Sequence, residues 1–124
     1  MTPAAEFIAR TGAAPWVYGD VDCLCWPASF VHERTGVDPA SGFRGTYDSA
    51  FGCRRIIMQS GGLLNLVRRQ MAGIEPGGEG DGVCVVRVLG QTHGGILSAG
   101  RLFVKRDLGA ISPAEFTILE RWSL

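Results

Sequence analysis

Apolar residues recur at helical spacing through the first half of the chain and give way to continuous apolar runs in the second. Phe7 and Ile8 form the apolar patch of a helix predicted over residues 3–10, with Pro3 suited to its first turn. Residues 16–23 are aromatic and turn-like. A second helix fits residues 24–35, with Phe30 and Val31 inward and Gly36 as its stop. Pro27 cannot donate to the carbonyl four residues earlier and its ring clashes there, so regular helix begins at or after Leu24. Cys23 is thereby expected at the helix mouth.

A third helix is predicted over residues 47–60, with Ala50, Phe51, Ile56 and Ile57 on or near one face and Arg54 and Arg55 outside it. Gly61-Gly62 separates it from a fourth over residues 63–71, carrying Leu63, Leu66 and Val67. The glycine-rich segment 73–82 is the strongest loop. Beyond it, residues 83–89 read as a buried central strand, and shorter strands are expected over residues 93–98, 101–105 and 116–122. Helices first and strands second predict one α+β domain over residues 1–124, its sheet small and antiparallel.

Composition narrows the function classes. The chain has 124 residues, with 12 basic and 12 acidic side chains. Zero net charge argues against a nucleic-acid partner engaged through a broad basic face. No apolar run is long enough to span a membrane, and no basic-then-apolar leader opens the sequence. Four cysteines, Cys23, Cys25, Cys53 and Cys84, contain a C-x-C but no C-x-x-C, so free thiols are the default, with no metal and no cofactor expected. A cysteine-ligated metal or iron–sulfur centre is a weaker alternative. It would need Cys53 and Cys84 to converge on Cys23 and Cys25.

The candidate chemistry lies in Cys23 and His93. A thiol at a helix mouth feels the positive end of the helix dipole, which favours thiolate. An imidazole within reach would favour it further and later protonate a leaving amine. Asp22 reads most simply as a helix cap or turn former. The glycines form no phosphate cradle, because the Gly-rich loop precedes a strand. Arg54-Arg55 and Arg68-Arg69 read as solvated faces, with protein contact as the runner-up.

The segments Pro15-Trp16-Val17-Tyr18-Gly19-Asp20, Asp22-Cys23, Gly80-Asp81 before a strand, and His93-Gly94-Gly95-Ile96-Leu97 occur in one order. In that order they resemble the NlpC superfamily of papain-like cell-wall peptidases. The compact size and the Arg44-Gly45-x-Tyr47 segment are similar to small phage proteins of that superfamily encoded among tail genes. The resemblance implies a papain-like fold, a Cys23 nucleophile and a His93 base. Trp16, Tyr18 and Asp22 are then the substrate-binding positions, and peptidoglycan stem peptide the substrate, cut during cell-wall penetration. It also implies a virion-tail location, with other tail or baseplate proteins as partners.

Several positions depart from the family pattern. Trp16 stands where the family has a tyrosine and carries no hydroxyl, and Leu24-Cys25 replaces Ser-Gly. The third residue, which orients the histidine, falls on Lys105, which cannot accept a hydrogen bond, or on Asp107 with a two-residue slip. The same resemblance is therefore also compatible with a catalytically decayed tail-tip or baseplate subunit of the same fold.

Overall fold

A computed structural model describes residues 1–124. Four helices come first: α1 (Pro3–Thr11), α2 (Cys25–Thr35), α3 (Ala50–Gln59) and α4 (Leu63–Gln70). Five strands follow: β1 (Gly82–Val88), β2 (Gln91–Ser98), β3 (Arg101–Arg106), β4 (Gly109–Ile111) and β5 (Thr117–Ser123). The strands form one antiparallel sheet in the order β4-β3-β2-β1-β5. The expected α+β class and antiparallel sheet are both present.

Local chemistry sets the element ends. Thr2 caps α1 by accepting from the Ala5 N–H, and Pro3 occupies the first turn. Gly36, in the left-handed region, stops α2. Helix α3 starts later than the predicted residue 47, because Ser49 takes an extended conformation and its hydroxyl accepts from the Gly52 N–H. Tyr47 is therefore a loop residue, free to turn into the core. Leu89 leaves the predicted strand for the same kind of local reason. Leu89-Gly90 and Ala99-Gly100 all have positive φ, the paired left-handed conformation that closes two-residue hairpins without splaying their strands. Strand β4 went unpredicted, being only three residues long.

The two sheet faces bury different clusters. Val83, Val85, Ile96 and Trp122 join the helical residues Phe7, Trp26, Phe30 and Leu66 in the larger core on the helix-facing side. Cys84, Val86, Val88, Leu97, Leu102 and Val104 form a second cluster, closed by Phe116 from the β4–β5 connection. Alternate residues of one strand fall into alternate clusters, as the pleat requires. No helix is long and apolar enough to cross a membrane.

Candidate functional site

The helix-facing site is built around Asp22, which is fully buried. One carboxylate oxygen accepts from the Leu24 and Cys25 N–H groups at 3.0 and 2.7 Å, satisfying donors at the start of α2. The other accepts from the Gly19 N–H at 2.9 Å and from the Tyr47 hydroxyl at 2.5 Å. The Asp-Cys motif thus serves as a cap, as the residues alone suggest. With four donors already converging on it, Asp22 has no reach to a substrate.

Arg44 and Tyr47 complete this network, and reading the residues alone gave them no role. The Arg44 guanidinium forks onto Asp38, with Nε 2.8 Å from one oxygen and one terminal nitrogen 3.1 Å from the other. It also donates to the carbonyls of Asp20 and Cys25. Burial pushes the Asp38 carboxyl up, but the Arg44 hydrogen bond and the Ala40 N–H outweigh it, so the net shift is downward. Arg44-Gly45-x-Tyr47 is therefore the clamp that ties the loop before α3 to the start of α2. Its one visible signal was the spacing of arginine and tyrosine around a glycine.

Cys23 precedes α2 as expected, yet its thiol is not primed for attack. The neighbouring Cys53 thiol, burial and the Asp22 carboxylate all favour the protonated form and push its pKa well up. The same contact with Cys23 pulls the Cys53 thiol down. Cys25, fully buried with its sulfur 3.7 Å from the Tyr47 hydroxyl, is pushed up to about 12, first by burial and then by Asp22. The helix dipole, invoked from the sequence, is outweighed by two thiols, a carboxylate and lost solvation.

His93 lies across the sheet. It pairs with Val86, so both side chains project to the second cluster. The next residue, Gly94, turns to the helix side, where a Cβ would collide with the Cys23 carbonyl oxygen. Gly95 turns back again, where a Cβ would meet Leu102 at 2.7 Å. Cys23 and His93 are thus separated by the strand that carries the histidine, and the expected thiol–imidazole pair is not formed. The buried imidazole has no hydrogen-bond partner at either nitrogen. Burial, then the Arg106 charge, lowers its pKa from the ordinary 6.5 and favours the neutral ring.

The remaining expected site residues also take other duties. Lys105 is fully buried, and its ammonium donates to the carbonyls of Thr11, Gly12 and Ala14, each at 3.0 Å. It lies 4.7 Å from the Trp26 ring centroid, completing a cation–π contact. Lys105 thus holds the C-terminal end of α1 to β3, where a cation also meets the negative pole of the helix. Asp107 sits in the β3–β4 turn, and its carbonyl accepts from the Trp16 N–H. Neither orients His93. Trp16 is half-buried, stacked edge-on against Tyr18 at 5.4 Å between ring centroids. Asp81 accepts from Thr2 and from the Ala99 N–H, so the Gly-Asp motif anchors the chain start to the β2–β3 turn.

The cleft beside Cys23 is small and apolar. It offers about 40 Å³, lined by Cys23, Pro27, Phe43, Leu66, Val83 and Gly94 among others. The cysteines do not converge: Cys53 lies beside Cys23, but Cys84 belongs to the far cluster, and its thiol is pushed up to about 12 by burial. No group of three or more His, Cys, Asp or Glu is placed to hold a metal ion, and the convergence of Cys53 and Cys84 on Cys23 and Cys25 that an iron–sulfur centre would need is not formed.

This is an α+β domain whose motif residues bind one another. The chain belongs to the family described as a domain of unknown function, DUF6950, which matches residues 2–123. None of the curated proteins and none of the solved structures compared with it matches the chain.

Proposed function

We propose that the chain is a papain-like domain of NlpC type that serves as a protein component of a phage tail, with its thiol machinery disassembled. The observation that carries this reading is the separation of Cys23 from His93 by strand β2. Nucleophilic attack by a thiol needs a base within hydrogen-bond reach, and here the base faces a different core. The upward shift of the Cys23 thiol and the full engagement of Asp22 and Lys105 point the same way. What the motif residues still do is hold together a rigid domain of the kind an assembly can use. Peptidoglycan hydrolysis, the competing reading, would require the imidazole to reach the other face of its own sheet.

Two assays separate the readings. Purified protein incubated with peptidoglycan stem peptides should release no new amine above a Cys23→Ala control. Mass spectrometry of purified phage particles should find the chain at a fixed copy number in the tail. Cysteine-dependent cleavage, or absence from the particle, contradicts the proposal.

A further inference from the structure

Helix α3 presents its outer face to solvent with an unusual mixture of groups. Phe51 and Met58 are each 72 % exposed and lie two turns apart, with Arg54 and Arg55 between them. Cys53, Ile56 and Ile57 fill the inner face. The expectation from the sequence placed Phe51 inward; the structure rotates it out among the arginines. Phe51, Arg54, Arg55, Met58 and Gln59 line a shallow depression on this face.

The charge around it is one-sided. Residues 49–74 carry four arginines and no acidic residue, with exposed Asp48 and Glu75 just outside them, so the rest of a neutral chain holds a surplus of four acidic side chains. Arg68 is neutralised by Glu120, at 3.0 Å, and Arg69 donates to the Ser60 carbonyl. Arg54 and Arg55 have no ion pair and no hydrogen-bond partner. Exposed arginines flanking exposed aromatic and thioether groups match the make-up of protein-interface cores, where Phe, Met and Arg are enriched. They also set the sign of what fits opposite.

We infer that the outer face of α3 is a docking surface for an acidic segment of another protein, one that seats an apolar side chain between Phe51 and Met58 and sets carboxylates against Arg54 and Arg55. Charge complementarity speeds such an encounter and fixes its register, while the apolar contact slows release. The inference does not depend on whether Cys23 is active.

The test uses the full chain, isotope-labelled for NMR, and a synthetic helical peptide with Leu and Phe on one face and Glu on the flanks. Binding should shift the signals of Phe51, Arg54, Arg55 and Met58, and weaken as salt rises from about 0.05 to 0.5 M. Arg54→Glu/Arg55→Glu should weaken it about tenfold or more, and Phe51→Ser/Met58→Ser by a similar factor. Both variants change exposed residues, and an unchanged melting temperature checks that each is folded. No binding of the acidic peptide overturns the inference. So does equal binding of a Lys-flanked counterpart, shifts centred elsewhere, or response only to phosphatidylglycerol vesicles or a DNA duplex.

Discussion

The two faces of the sheet treat their buried Asp, Lys and His side chains in opposite ways. On the helix side, Asp22 and Lys105 are fully buried, and every one of their strong donors or acceptors is engaged. On the far side, His93 is buried with both nitrogens unpartnered. Buried polar groups are kept cheaply only when hydrogen-bonded, so the helix side is organised around these two residues, while the far side leaves His93 and the Arg121 Nε unpaired. The contrast separates motif residues that build the fold from the one that would have to perform chemistry. Asp22, Tyr47, Arg44 and Lys105 fall into the first group.

The largest effect should come from breaking the helix side. Asp22→Ala removes one acceptor from four donors at once and should cost about 4 kcal/mol, measured by urea unfolding. A loss below about 1 kcal/mol would mean that the capping network contributes little. Lys105→Met keeps the stem but leaves three carbonyls at the end of α1 without their donor. It should cost about 2 to 3 kcal/mol, with the Trp26 fluorescence environment changed. Full stability in that variant would return Lys105 to the list of residues free for another role.

On the far side the sign reverses. His93→Leu replaces an orphaned imidazole with an apolar side chain and should be neutral or stabilising by about 1 kcal/mol. Its pH dependence sharpens the point. A histidine whose folded pKa is depressed below 6.5 binds its proton more readily when unfolded. Its titration therefore adds no cost above pH 6.5, beyond the pH-independent cost of the unpartnered ring, and progressively destabilises the fold as pH falls from 6.5 toward the depressed value. The Leu variant should lose that part of the acid sensitivity, and identical pH profiles for the two proteins would place His93 in solvent.

Much of this architecture was legible in the chain because its punctuation is strong. Pro3, Gly36, Gly61-Gly62 and the 73–82 loop fix where elements begin and end, and Pro27 placed the start of α2 to within a residue. The face taken by His93 was not legible, for a physical reason. A strand reveals its faces by alternation of side chains, and Gly94-Gly95 erases that alternation at the position where it was needed. Only the pairing of His93 with Val86 and the approach of Gly94 to Cys23 settle the parity. The network at Asp22 was half legible: the cap followed from residue type, whereas Tyr47 reaches it across 25 positions of sequence. Phe51 shows the same limit on a helix, since Cys53, Ile56 and Ile57 suffice to fill its inner face.

The most direct test of the account is site-resolved alkylation of the four thiols between pH 5 and 9, read by mass spectrometry, in the wild type and in His93→Ala. The separation of the two residues predicts that Cys23 resists labelling below the free-thiol pKa of about 8.5 and that removing the imidazole does not change this. Labelling of Cys23 near pH 6 that disappears in His93→Ala would place the imidazole beside the thiol and contradict the account.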